Sequence, residues 1–177
     1  MKYLKQLFLV SLCAIFLCGF SMNISAASVK DTAKTQYKSF ISKYNVGGYA
    51  IADIDQNGIP ELCYYNQSSS KHCVMTYNKN TKKMQVLCSM PMGKNCCGFY
   101  STKSHQVALV TANTGGAYWK IYKISGTKAT LVKTYRSSRQ YPGFTYIYKK
   151  NNSKISYAAY NKVITAINKW HTWNWYR

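Results

Sequence analysis

Residues 49–62 read Tyr49-Ala-Ile-Ala-Asp53-Ile-Asp55-Gln-Asn57-Gly58-Ile59-Pro60-Glu61-Leu62 and contain three of the four acidic residues of the chain. Against these four acids stand 24 Lys and Arg, so the 177-residue sequence carries a formal charge of +20. Carboxylates scattered over so basic a chain would indicate local charge pairing. Because three of them are gathered at alternate positions, they indicate a site for a cation.

The spacing of these side chains is that of a calcium loop. In a D-x-D-x-[DN]-G loop, oxygen-bearing side chains at positions 1, 3 and 5 surround a hard cation, and a glycine at position 6 permits the turn. Asp53, Asp55, Asn57 and Gly58 occupy these four positions. An EF-hand would need a bidentate Glu at position 12, where this chain has Tyr64, so an EF-hand is not predicted.

The second half of the loop supplies the remaining predicted ligands. Glu61 stands at position 9, and the Ile59 carbonyl at position 7 is the expected backbone ligand, since Pro60 biases Ile59 toward an extended conformation. Strand-like residues follow, so the loop is expected to join a hairpin at residues 49–66. The alternative is an Asn-Gly turn whose Asp side chains only accept backbone hydrogen bonds. The predicted Ca²⁺ ligands are Asp53, Asp55, Asn57, Ile59 and Glu61.

The segment from Tyr49 to Leu62 resembles the β-hairpin calcium loops of FG-GAP and VCBS-type repeats. It is more closely similar to a group of uncharacterised secreted proteins of Gram-positive bacteria that carry a Y-x-x-x-DIDxDGxxEL segment. The resemblance extends over roughly residues 37–170, where short aromatic strands lead to a Ser-x-x-x-Tyr-Asn-Lys pattern that begins at Ser156. It implies calcium binding and secretion, and it implies no particular activity.

The amino terminus predicts export. Lys2 and Lys5 form a basic start, residues 7–20 are apolar, and Ser25-Ala-Ala offers small residues for cleavage before Ser28. We therefore expect a signal peptide at residues 1–27 and a single secreted domain at residues 28–177. No later apolar stretch is long enough to cross a bilayer.

The mature chain is more basic than most domains of its size. Removing Lys2 and Lys5 leaves 22 basic and four acidic residues, a charge of +18. Such a charge favours anionic partners and fast association that depends on salt. Outside a cell, cell-wall polymers and acidic polysaccharides are the expected partners. Nucleic acid is the alternative, although export argues against it as a specific ligand.

Hydrophobic periodicity predicts an α+β fold. Residues 29–44 alternate two faces at helical spacing, and Ser156 precedes an apolar stripe with the spacing of a second helix. Between them the period falls to two, which indicates an antiparallel β-meander of about six to eight short strands between an N-terminal and a C-terminal helix. The candidate strands cover residues 49–53, 61–66, 72–78, 83–89, 105–112, 117–124, 128–135 and 143–149.

Five cysteines follow the predicted signal peptide, and export makes disulfides plausible. A hairpin centred on Asn80-Thr81 pairs 77 with 84, 75 with 86 and 73 with 88, which predicts a bridge between Cys73 and Cys88. The other pairings stay open. Zinc is the competing use, with His72 and His105 nearby in the sequence, but no familiar ligand spacing is present.

Catalytic groups are scarce, since Asp31 is the only acid outside the loop. A cysteine-dependent enzyme with Cys97 and His105 is the catalytic alternative. A binding module is favoured by 17 tyrosines and four tryptophans beside many lysines, because aromatic faces suit sugars. The candidate ligand-contacting residues are Trp173, Trp175, Lys30, Lys34 and Lys38. The chain is thus predicted to be a calcium-binding, non-enzymatic module that binds anionic surfaces.

Overall fold

The computed structural model describes residues 28–44, 46–141 and 145–173. The predicted signal peptide and Trp175 lie outside the described residues. The helices are α1 (Val29–Lys43) and α2 (Tyr157–Ile167). The strands are β1 (Val46–Ala52), β2 (Glu61–Asn66), β3 (Lys71–Asn78), β4 (Lys83–Pro91), β5 (Asn95–Ser101), β6 (Gln106–Asn113), β7 (Gly116–Ser125), β8 (Lys128–Arg139), β9 (Tyr146–Lys150), β10 (Ser153–Ile155) and β11 (His171–Trp173). The predicted α+β class with antiparallel strands is confirmed.

The strands form two antiparallel sheets. Strands β1 to β4 make a four-stranded sheet in sequence order, and the larger sheet has seven strands in the order β10-β9-β8-β7-β6-β5-β11. The prediction of one meander with about six to eight strands was therefore wrong, since the described residues contain eleven strands. Short hairpins still join most neighbours, so each sheet is largely a meander of its own.

Three strands were not predicted, because their sequence patterns are short or irregular. Strand β5 reads Asn-Cys-Cys-Gly-Phe-Tyr-Ser, without a clear alternation of apolar and polar residues. Strands β10 and β11 have three residues each, and β11 pairs only with β5. The Asn151-Asn152 pair was a sequence signal for a turn before β10, because asparagine tolerates positive φ. In the structure the two residues have φ of 45° and 70°, as the two central residues of a tight hairpin turn do.

The two sheets and two helices pack as four layers. On the outer face of the four-stranded sheet, Ala33 and Tyr37 of α1 are buried in a cluster with Leu62. On the outer face of the seven-stranded sheet, Tyr160 and Ile167 of α2 are buried in another cluster. The inner faces of the sheets meet in a third cluster, which contains Ile54, Cys63, Val74, Cys88, Met90, Val107, Leu109, Ile124 and Trp173.

Both helices begin at a serine that caps them. The Ser28 side chain accepts a hydrogen bond from the Asp31 backbone N–H at 3.1 Å, and Ser156 accepts one from Ala159 at 3.2 Å. A hydroxyl at this position satisfies a backbone donor that the first helical turn leaves unpaired. Inside α2, Tyr160 also accepts a hydrogen bond from the indole of Trp119 at 3.1 Å, which fixes the helix on the sheet.

Helix α2 connects the two edge strands of the seven-stranded sheet. Strand β10 forms one edge, α2 follows, and β11 forms the opposite edge beside β5. There the indole of Trp173 lies directly over Gly98, where an added Cβ would stand 1.9 Å from Trp173 Cζ2. A glycine is therefore required for Trp173 to enter the core between the sheets.

Candidate cation site

The three clustered acids converge at the connection between β1 and β2. Ligand atoms of Asp53, Asp55 and Glu61 all lie within 4.8 Å of one another. Among the described residues, no other group of three or more His, Cys, Asp or Glu side chains converges in this way. The separation is small enough for one ion to contact all three carboxylates.

The loop is shaped by hydrogen bonds from its own backbone to its side chains. The carboxylate of Asp53 accepts from the N–H groups of Asn57 at 3.0 Å and Gly58 at 2.8 Å. The Asn57 amide oxygen accepts from the Ile59 N–H at 2.7 Å, and its Nδ2 donates to Asp55 at 2.9 Å. Gly58 has φ of 87°, a conformation that favours glycine. These bonds turn the chain so that the acids face one point.

Glu61 is the buried member of the group. It is fully buried at the start of β2, where its Oε2 accepts from the Ile54 N–H at 2.9 Å and its Oε1 accepts from the Thr76 hydroxyl at 3.3 Å. The pKa of the Glu61 carboxyl is raised to about 8, chiefly by burial and also by the charges of Asp55 and Asp53, although its hydrogen bonds with Ile54 and Thr76 act to lower it. A cation at this point would favour the ionised form.

Three other elements hold the loop in place. The Tyr37 hydroxyl of α1 donates to the Pro60 carbonyl at 2.8 Å. From the seven-stranded sheet, the Gly126 N–H in the β7–β8 turn donates to Asp55. The Gln56 side chain donates to the Thr102 carbonyl in the β5–β6 turn at 3.2 Å. The loop is thus fastened to both sheets and to α1, which positions the carboxylates before any ion binds.

The acids of this site could be predicted from the sequence, but the residues that hold them in place could not. Thr76 lies in β3, Gly126 in the β7–β8 turn and Gln56 in the loop itself, and no motif marks any of them. Only the register of β2 with β3, which pairs Glu61 with Thr76, places that hydroxyl beside the carboxylate. The predicted Asn57 lies beside Asp55, while the Ile59 carbonyl as a ligand stays a prediction.

The donor set has the chemistry of a site for a hard cation. Its converging atoms are carboxylate oxygens without sulfur or imidazole, a set suited to Ca²⁺, Mg²⁺ or Mn²⁺ rather than zinc. The zinc alternative at His72 is not supported, because its imidazole is buried beside Tyr65 and Trp173, away from any converging group. Burial lowers the His72 pKa to about 4.

The register that predicted a bridge between Cys73 and Cys88 was wrong at its last step. Tyr77 pairs with Met84 and Met75 with Val86, as expected, but a bulge then shifts the register so that Val74 faces Cys88 and Cys73 faces Ser89. One inserted residue moves side chains to the other face of a sheet. The thiols of Cys73 and Cys88 therefore lie in different core clusters, and all five described cysteines are free.

The structure does not bring together the residues of the cysteine-dependent alternative. Cys97 pairs with Val110 within the β5–β6 hairpin, whereas His105 lies in the turn beyond the Ser101 and Gln106 pair. Four residues along a strand span about 13 Å. Burial also raises the pKa of the Cys97 thiol to about 11, which keeps it protonated at neutral pH.

Of the predicted ligand-contacting residues, the lysines are on the surface and Trp173 is not. Lys30, Lys34 and Lys38 are exposed on α1. Trp173 is 2% exposed and belongs to the core between the sheets, so it was wrongly predicted as a surface contact. The short strand β11 turns this side chain inward over Gly98, a pairing that local sequence does not indicate.

Comparisons with known proteins leave the resemblance at residues 49–62 as a prediction. No family model matches the chain, and no curated protein or solved structure is significantly similar to it. Among the described residues, no helix has the length and apolar character needed to span a membrane.

Proposed function

We propose that this chain is an exported, calcium-binding module that attaches to anionic cell-wall or polysaccharide surfaces without catalysing a reaction. The observation that carries the proposal is the convergence of Asp53, Asp55 and Glu61 within 4.8 Å. These are three of the four acids in a chain with 24 basic residues. Placing them together is electrostatically costly, and a divalent cation would offset that cost.

Calcium is favoured over the other hard cations by the construction of the loop. Ca²⁺ accepts six to eight oxygen ligands in flexible geometry, whereas Mg²⁺ requires a near-ideal octahedron and keeps several waters. The loop presents carboxylates at the D-x-D spacing, with Asn57 and the turn at Gly58 between them and Glu61. With three charged ligands in a very basic protein, the expected Kd is about 10⁻⁴ to 10⁻³ M, as in extracellular modules.

Attachment to an anionic surface is supported by the charge of the chain and by the scarcity of catalytic acids. Three of the four acids are in the cation loop, and Asp31 is engaged at the start of α1, where Ser28 donates to its carboxylate at 2.6 Å. The lysines of α1 are exposed and available for long-range attraction. Export is supported by the basic and apolar sequence of residues 1–27.

The cation site is tested by calorimetry and thermal unfolding of residues 28–177 with and without 10 mM CaCl₂. Ligand at about 10 to 100 times Kd stabilises the folded state by about 1.4 to 2.7 kcal/mol, or about 3 to 10 °C in Tm. The Asp53→Asn variant should lose this response. Asp31→Asn removes the same charge outside the loop and should keep it. An equal response in both variants would show that Ca²⁺ does not bind at this loop.

The choice of Ca²⁺ and the attachment are tested separately. Mg²⁺ at the same concentration should stabilise the protein less than Ca²⁺ does, and a greater effect of Mg²⁺ would reject calcium as the ligand. The protein should cosediment with an insoluble anionic cell-wall fraction at 50 mM NaCl and much less at 500 mM NaCl. No cosedimentation at low salt would reject attachment and leave the cation site standing.

A further inference from the structure

A cleft of about 670 Å³ opens on the seven-stranded sheet at the end remote from the cation loop. Its lining includes Arg136, Arg139, Lys149 and Tyr118, together with hydroxyl and amide side chains such as Asn152. No acidic residue is part of the lining. None of these residues belongs to the cation loop, and the predicted lysine face of α1 lies on the other side of the molecule, outside the four-stranded sheet.

Strand register places two of the three cationic side chains of the cleft, Arg136 and Lys149, in one row, while Arg139 lines the cleft from the end of β8. Tyr118 of β7 pairs directly with Arg136 of β8, and Arg136 pairs directly with Lys149 of β9. Directly paired residues share one face of an antiparallel sheet. Tyr118 packs against the core between the sheets, so this row lies on the inner face of the larger sheet. Arg136 is nevertheless exposed.

Backbone packing shapes the rim of the cleft. Gly116 has φ of 140°, and an added Cβ there would lie 2.0 Å from the Ser137 carbonyl oxygen. The Gly115 carbonyl accepts from the Arg139 N–H at 2.8 Å, and the Ser137 hydroxyl accepts from the Ala117 N–H at 3.0 Å. The β6–β7 turn is therefore pressed against β8, and the backbone that carries the arginines is fixed.

The charges of this cleft are concentrated at a cost to the fold. Arg136 and Arg139 are two of only three arginines in the chain, which otherwise uses lysine as its cation. Like charges directly opposite each other on a sheet, as in Arg136 and Lys149, are destabilising. All four acids lie elsewhere, at Asp31 and in the cation loop, so no carboxylate offsets the repulsion.

We propose that this cleft binds the phosphate groups of a phosphodiester-linked polyol or glycan polymer. Arginine is the side chain best suited to bidentate recognition of phosphate oxygens, and three cations around one cleft match an anion with several acceptor oxygens better than a flat carboxylate. The hydroxyl and amide lining suits a hydroxyl-rich chain. A single tyrosine is a poor platform for successive nucleic-acid bases, which usually stack on several aromatic rings.

This inference rests on the proposed attachment to anionic surfaces and names the site for it. The test uses residues 28–177 and fluorescent poly(glycerol phosphate), with polygalacturonate and poly(dT) as competing probes, in 150 mM NaCl. The cleft variant is Arg136→Gln/Lys149→Gln. The matched control is Lys34→Gln/Lys38→Gln, which removes the same charge from exposed positions on α1.

The cleft variant should bind poly(glycerol phosphate) about tenfold or more weakly, whereas the α1 variant should lose less than about threefold. Arg136→Lys keeps the charge but not the planar fork, so it should retain only part of the affinity. Circular dichroism and Tm measurements serve as the control that the variants are folded. Partial rescue by lysine supports a contact with the polymer, because a purely structural role would not follow the geometry of the cation.

Other results overturn the inference in distinguishable ways. Equal losses in the cleft and α1 variants would mean that binding uses the whole basic surface, so the cleft is rejected while the proposed function stands. Binding of none of the three probes by the wild-type protein would reject both. Tighter binding of poly(dT) or polygalacturonate with the same dependence on Arg136 would assign the cleft to nucleic acid or to carboxylates and reject the phosphate polymer.

Discussion

The loop at residues 53–61 and the cleft around Arg136 differ in construction as much as in charge. In the loop, every carboxylate already accepts hydrogen bonds from fixed donors, and Glu61 is fully buried. In the cleft, the strands are fixed while the exposed Arg136 side chain reaches an open face. A small hard ion is selected by preset ligand positions, whereas a flexible polymer is better met by adaptable side chains.

The same hairpin serves both regions. The β7–β8 turn contacts the loop through Gly126, and Arg136 lies ten residues further along the same strand direction. At about 3.3 Å per residue, the two contacts are roughly 33 Å apart. Changes in one region should therefore leave the other unaffected, and the following predictions test whether the loop supports the fold while the cleft does not.

The largest effect is expected at Glu61. Glu61→Ala leaves the Ile54 N–H and the Thr76 hydroxyl without their buried acceptor, which should lower the free energy of unfolding by about 4 kcal/mol. Glu61→Gln keeps an acceptor oxygen and should cost much less in the absence of calcium. Urea unfolding with EGTA measures both. Equal costs for the two variants would show that the hydrogen bonds of Glu61 do not hold the loop.

A second test concerns His72, which shares the inner face of β3 with Thr76. Its ring nitrogens are buried without a hydrogen-bond partner, and its neighbours are the rings of Tyr65 and Trp173. Burial lowers the His72 pKa from 6.5 to about 4, so the unfolded chain binds a proton first as the pH falls. The contribution to stability is complete above pH 6.5 and is lost toward pH 4, by about 3 kcal/mol.

The measurement compares urea unfolding of the wild-type protein and His72→Leu at several pH values between 4 and 7. The difference between the two proteins isolates His72 from the carboxylates, which titrate in both. The stability of the variant relative to the wild type should rise as the pH falls. A difference that does not change with pH would mean that His72 titrates normally in the folded protein.

A smaller effect is expected where the loop meets the larger sheet. Gln56→Ala removes the hydrogen bond to the Thr102 carbonyl and should cost about 1 kcal/mol. Hydrogen exchange at the β5–β6 turn should accelerate in this variant, while exchange near Arg136 should not change. Equal acceleration at both places would contradict the separation of the two regions.

The smallest effect is expected in the cleft, with the opposite sign. Lys149→Gln relieves the repulsion with Arg136 and should raise the free energy of unfolding by a few tenths of a kcal/mol at low salt. The gain should vanish at 1 M NaCl, where charges are screened over about 3 Å. Destabilisation by more than about 1 kcal/mol would show that Lys149 supports the fold rather than a ligand.

The convergence of the loop acids could be predicted because they are close together in the sequence. Alternating oxygen-bearing side chains and a glycine indicate a cation loop within one short segment, as Asp53 and Gly58 do here. The residues of the cleft could not be predicted, since Tyr118, Arg136 and Lys149 become neighbours only through the register of three strands. Sequence patterns specify which face a side chain occupies only where the register is regular.

Bulges and short strands explain the remaining failures. The bulge in the β3–β4 pair reversed the expected facing of Cys88, although the turn itself was placed correctly. Three-residue strands give too few positions for a periodic signal, so β11 and the inward Trp173 were missed. The helices were easier to predict because their serine caps and apolar stripes extend over many residues.

The place of β11 bears on how quickly the protein can reach its final state. This strand contacts β1 as well as pairing with β5, and it follows β1 by more than 110 residues. Contacts between such distant segments require large loops to close, and folds that depend on them are slow, typically taking milliseconds to seconds. Until residues 171–173 dock, the core between the sheets lacks Trp173. Slow folding of this kind would keep the chain unfolded during passage through a membrane channel, as the proposed export requires.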